Sequence, residues 1–112
     1  MKKLLVLAIV LASSRARADT TPPSSVSQVM VLEPGDASYK LFHGAVWLDA
    51  DKDKWNYRWG GLQCKGREIS DTSIQMLFAA LRGEYEVALE YVPADYKGKT
   101  YRCLTGFTIS RK

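Results

Sequence analysis

His43, the pair Cys64 and Cys103, the carboxylates Asp49, Asp51 and Asp53, and the triplet Trp55, Tyr57 and Trp59 are the residues whose types and spacing suggest chemistry. His43 is the sole histidine. A catalytic imidazole works beside a nucleophile and a group that orients the ring, and no serine or cysteine stands at a spacing that supplies such a set. His43 is therefore expected to be a satisfied polar residue in a strand. No catalytic residue is assigned, and the chain is not expected to be an enzyme.

Asp49-Ala-Asp51-Lys-Asp53 opens like a calcium-binding loop, with carboxylates at positions 1, 3 and 5. Such a loop needs glycine at position 6 and glutamate at position 12; Lys54 and Gly60 stand there instead. Lys52 and Lys54 also neutralise the carboxylates. A solvated hairpin tip is expected, with no metal and no cofactor. Trp55, Tyr57 and Trp59 recur at period two, so on a strand they share one face, with Asn56 and Arg58 on the other. A stripe of this kind is either core or a platform on which sugar rings or bases stack. As a platform it would lie beside Asp49, Asp51 and Asp53, and these six residues are the candidate ligand site.

The start of the chain reads as an export signal. Lys2 and Lys3 precede nine apolar residues, Leu4 to Ala12, and Ala16-Arg17-Ala18 offers the small-x-small pattern of a cleavage site. The apolar run is well short of the ~20 residues of a spanning helix. Residues 1–18 are thus expected to be a bacterial Sec signal peptide, leading to the periplasm or secretion with no membrane anchor after cleavage. Charge follows from this. The chain has 16 Lys and Arg against 12 Asp and Glu, a net of +4. Lys2, Lys3, Arg15 and Arg17 leave with the signal, so 12 face 12 in the mature chain. The basic balance that would point to nucleic acid disappears with the signal.

In an oxidising compartment the only two cysteines are expected to pair. Cys64 and Cys103 enclose roughly 40 residues. They lack the Cys-x-x-Cys spacing of a redox site, and with one histidine they fall short of a zinc ligand set.

The elements that position these residues make a single domain over residues 26–112, behind a polar, mobile leader at residues 19–25. Strands are expected at Val26–Leu32, Ser38–Leu48 and Trp55–Trp59, with Pro34-Gly35-Asp36 as a turn. A helix follows from about Thr72 to Arg82. Thr72 and Gln75 fit a capping box, Ser70 and Asp71 are alternative caps, and Gly83 is a left-handed stop. Ile74, Leu77, Phe78 and Leu81 form its core-facing stripe, leaving Met76, Ala79 and Ala80 for a partner subunit. A fourth strand runs from Glu84 to Val92, with Tyr85, Val87, Leu89 and Tyr91 on one face. Pro93–Lys99 is a turn, and the last strand covers Thr100–Ser110 with Tyr101, Cys103, Phe107 and Ile109 on one face.

Three strands, a helix and two strands is the order of a five-stranded Greek-key OB barrel whose helix plugs one end. The segment Ile74-Gln-Met-Leu-Phe-Ala-Ala-Leu-Arg-Gly-Glu-Tyr-Glu-Val-Ala-Leu-Glu-Tyr91 resembles the helix-glycine-strand segment of the pentameric B subunits of bacterial AB-type toxins. It is similar also to small exported OB-fold proteins in which two cysteines bracket the same segment. The resemblance implies an exported, non-enzymatic module that binds a glycan or a protein and assembles as a homo-oligomer, a pentamer. The toxins' sugar-contacting positions do not map onto residues here. A second reading is a periplasmic inhibitor or immunity-type protein that blocks an enzyme by surface contact.

Overall fold

The computed structural model describes residues 18–112. The expected signal peptide therefore lies, but for Ala18, outside the described residues. The chain is mainly β with one helix and one disulfide. Its elements are β1 (Asp19–Thr20), β2 (Val26–Val31), β3 (Gly44–Leu48), β4 (Asn56–Trp59), α1 (Asp71–Leu81), β5 (Tyr85–Tyr96) and β6 (Lys99–Arg111). They form one six-stranded sheet in the order β1-β5-β6-β4-β3-β2. All neighbours are antiparallel except β4 and β6, which run parallel through a single register pair, Arg58 opposite Cys103.

The expected five-stranded closed barrel is not what this order describes. There are six strands, and no ladder joins the edge strands β1 and β2. These two are nonetheless consecutive in the chain. Between them the Thr21 N–H donates to the Leu89 carbonyl (2.8 Å), and Ser24 and Val87 exchange backbone bonds (2.9 and 2.8 Å). The leader at residues 19–25 is thus tied into the sheet, and Ser24 is buried.

One face of the sheet carries the core. Val46, Tyr57, Trp59, Val87, Leu89 and Leu104 meet Leu77 and Ala80 of the helix there, all of them nearly without exposure. The helix begins at Ser70, whose Oγ accepts from the Ser73 N–H at 3.1 Å, so the cap lies two residues ahead of Thr72. Gly83, at φ 94°, provides the stop. The buried stripe is rotated from the expected one: Ile74, Leu77 and Ala80 face the core, while Phe78 and Leu81 are about 40 % exposed. Helical period alone does not choose between two adjoining apolar flanks. Ala80 wins because a small side chain lets the helix approach β2 and β5 closely.

Strand β6 carries a bulge. Glu90 pairs with Gly106 but Tyr91 with Leu104, leaving Thr105 extra. One added residue reverses the alternation. Leu104, Phe107 and Ile109 therefore join the core, whereas Tyr101 and Cys103 point to the opposite face. The disulfide joins Cys103 to Cys64 (S–S 2.03 Å, Cα–Cα 5.5 Å) on that second face. It pins a loop that crosses there, with backbone bonds from Leu62 to Lys40 and from Gln63 to Leu41 (both 3.0 Å). Gly61 sits at φ 71°, and a Cβ there would come within 2.5 Å of the Leu41 carbonyl, so only glycine fits.

The expected strand at Ser38–Leu48 begins only at Gly44. Ahead of it, Asp36 Oδ1 accepts from the Ser38 N–H (2.8 Å), and Leu41 and Phe42 bond back to Ser38. Local turns capture these backbone groups before a ladder does.

Candidate functional site

The long β5–β6 hairpin turns on Lys97 and Gly98, whose φ of 49° and 83° define a two-residue type I′ loop. The expected turn at Pro93–Lys99 is thus mostly strand. Tyr96 and Lys99 close the loop as a bonded pair, so antiparallel alternation makes Pro93–Arg102 a non-bonded pair. Pro93 therefore sits in β5 without removing a ladder bond. The same alternation turns the N–H groups of Thr100 and Arg102 away from β5, toward β4. There the β4–β6 ladder consists of one pair only, and the two strands diverge below it.

A groove of about 450 Å³ fills this divergence, lined on one side by Asp53 to Asn56 and Arg58 and on the other by Lys99 to Arg102. Two guanidiniums are fixed in it. Arg102 lies 4.3 Å from the ring centre of Trp55, 5.2 Å from that of Tyr91 and 5.5 Å from that of Tyr57. It donates to the Tyr57 hydroxyl (3.0 Å), which in turn donates to Asp51 Oδ2 (2.8 Å). Arg58 is sandwiched between the rings of Phe42 (4.1 Å) and Tyr101 (4.8 Å). Its Nε donates to Asn56 Oδ1 at 3.0 Å, and its Nη1 donates to Gln63 Oε1.

Burial pushes the Tyr57 hydroxyl up to about 12, with help from its bond to Asp51 and that carboxylate's charge, and against the pull of Arg102. Burial likewise draws the Arg58 pKa below its ordinary value, opposed by Tyr101. A guanidinium nevertheless stays protonated. Rings on both sides and bonded partners at the edges hold these donors rigid, so little side-chain entropy is lost when a ligand meets them.

The six candidate ligand residues separate. Tyr57 and Trp59 are core, so the aromatic platform is reduced to Trp55, which is 46 % exposed. Asp53 lines the groove with Trp55. Asp51 is engaged by Tyr57, and Asp49 lies with Asp51 in a neighbouring hollow. Of the three proposed interface residues, Met76 is exposed and Ala79 half-buried. Ala80 is fully buried in the core and has no surface for a partner. His43 Nδ1 lies 2.9 Å from Glu68 Oε1, and its ring stacks on Tyr39 at 3.9 Å.

Arg58, Lys99, Tyr101 and Arg102 were not among the expected site residues. The signal for the two arginines was their setting within strands between aromatic or apolar neighbours, Tyr57-Arg58-Trp59 and Tyr101-Arg102-Cys103, a position where charge survives only with partners. Among the described residues, no cluster of three or more His, Cys, Asp or Glu side chains could hold a metal, and no helix is long and apolar enough to cross a membrane. No family model, curated protein or solved structure matches the chain.

Proposed function

We propose that this chain is an exported, non-enzymatic binding module whose ligand, a glycan or a protein, seats in the groove between β4 and β6. The observation that carries this reading is the pairing of an exposed Trp55 with two ring-clamped arginines at one open cleft. Such a surface is pre-organised to hold a partner and lacks a nucleophile beside a general base. The disulfide suits an oxidising compartment, in line with export.

The same reading takes the fold as a variant of the OB barrel. The β2–β3–β4 meander, the parallel β4–β6 contact, the β5–β6 hairpin and the helix between β4 and β5 follow that order. Residues 19–31 act as one bent strand, bonded to β5 at its start and to β3 at its end. The likeness to toxin B subunits adds the proposal of a homo-oligomeric ring, with Met76 and Ala79 near its interface. Light scattering on the disulfide-bonded protein tests the ring, and a strict monomer removes it.

A glycan array and a pull-down from extracytoplasmic fractions, each run with the parent protein and with Trp55→Ala, test the binding reading. Specific binding that the exposed substitution abolishes without unfolding the protein supports it. Binding indifferent to Trp55 defeats the placement in the groove.

A further inference from the structure

The groove's cargo follows from three features that lie together: an unfilled strand edge, a fixed excess of positive charge, and rings that flank the gap. Resting on the binding reading above, we propose that the groove takes an extended, acidic polypeptide segment of a partner protein, which adds as a strand along the β6 edge at Lys99–Arg102.

Thr100 and Arg102 direct their N–H groups into the groove because Tyr96–Lys99 and every second pair above it are bonded to β5. The β4 ladder stops at Arg58–Cys103. Had it continued by one step, Tyr57 would pair with Arg102; it does not. A strand edge left open beside a cleft is the template on which an extended peptide is captured by main-chain bonds. Free edges are normally blunted or covered, whereas this one opens onto a groove lined by four cations.

Charge then selects the peptide. Lys54, Arg58, Lys99 and Arg102 line the groove against a single carboxylate, Asp53. The protein beyond its signal is otherwise balanced, so this concentration is local. Side chains alternate along an added strand, and so do the cations: Lys99 and Tyr101 stand on one face of β6, Thr100 and Arg102 on the other. A peptide with carboxylates on either face meets a guanidinium. Arg58 and Arg102 are held by rings and hydrogen bonds before it arrives, which fixes their remaining N–H donors in place for a carboxylate. A neutral glycan uses the ring of Trp55 but leaves the edge N–H groups and the four cations without a purpose.

The test uses the disulfide-bonded protein and three blocked hexapeptides of alternating pattern, Glu-Val, Gln-Val and Lys-Val. Binding is read from backbone amide spectra, with hydrogen exchange at Thr100 and Arg102. The Glu-Val peptide is expected to shift and protect these two amides and to bind at least tenfold tighter than the Gln-Val peptide, with affinity falling as salt rises. The Lys-Val peptide should not bind. Arg102→Gln should lower Glu-Val affinity about tenfold. Because Arg102 also sits in a ring cluster, the exposed Lys99→Gln provides a second variant with a smaller loss. N-methylation of the peptide amides that face β6 removes their donors and crowds the edge, so it should weaken binding without changing charge. Equal binding of the Glu-Val and Gln-Val peptides overturns the acidic selection, and no response at Thr100 and Arg102 overturns strand addition; either result defeats the proposal. A Trp55-dependent glycan hit alongside such a failure leaves the binding module standing and removes only the acidic peptide.

Discussion

Replacing both cysteines, Cys64→Ala with Cys103→Ala, tests how the second face of the sheet is held. The bridge spans a sequence separation of 39 residues. On the chain-entropy account a loop of that size removes ~13 cal/mol/K from the unfolded ensemble, or about 4 kcal/mol at 25 °C. A domain of this size has roughly 5–15 kcal/mol in all, so the variant should be left marginal. Both sulfurs are buried, and no solvated group replaces them. Urea unfolding followed by tryptophan fluorescence should show the midpoint falling by about 1.3–4 M, for a slope of ~1–3 kcal/mol/M. The parent protein unfolded under reductant should follow the variant. A loss below about 1 kcal/mol would refute the loop-closure reasoning. A second readout follows from Gln63, which neighbours Cys64 and receives a bond from Arg58. In the native variant the Arg58 Nε–H resonance should broaden as that loop loosens.

Further expectations rest on single side chains. Leu77 is fully buried, so Leu77→Ala should cost about 2–5 kcal/mol, whereas Phe78→Ala on the exposed flank should cost under about 1 kcal/mol; denaturant melts of the two distinguish the observed stripe from its neighbour. The Tyr57 pKa is raised from 10.0 to about 12, so folding favours the protonated phenol. Its contribution is whole below pH 10 and is lost as pH rises toward 12. Tyr57→Phe should flatten the decline in stability over that window, measured by urea melts at fixed pH; an unchanged decline would mean another group is responsible.

Much of the architecture was legible in the sequence because local signals and tertiary packing agreed. Gly83, the apolar period of the helix and the alternation of Val87 and Leu89 have one reading each. So does a lone cysteine pair, joined here as expected. Legibility ended where long-range partners decided. The face of Cys103 depends on the Thr105 bulge, which follows from register with β5 and not from any local pattern. Pro93 looked like a turn because its missing N–H is harmless only at a non-bonded position, which the Lys97–Gly98 loop sets. Ser38 to Phe42 read as strand from apolar content, and the Asp36 side chain overrode it. At the site, Trp55 was named from the period-two aromatic stripe, and the structure leaves it exposed. Tyr57 and Trp59 take the core reading that the stripe left open, because period two says that residues share a face, never which face is inside. Arg58 and Arg102 are far apart in sequence, and only the parallel β4–β6 contact places them at one groove.

The groove between β4 and β6 is the proposed place where the protein holds its ligand. Amide and indole spectra of the disulfide-bonded protein, titrated with the glycans and peptides above, test it most directly. The account predicts that any ligand that binds moves the Trp55 indole together with the amides of Asn56, Thr100 and Arg102. A ligand that instead moves the helix Asp71–Leu81 or the β2 edge, with those four resonances still, would contradict it.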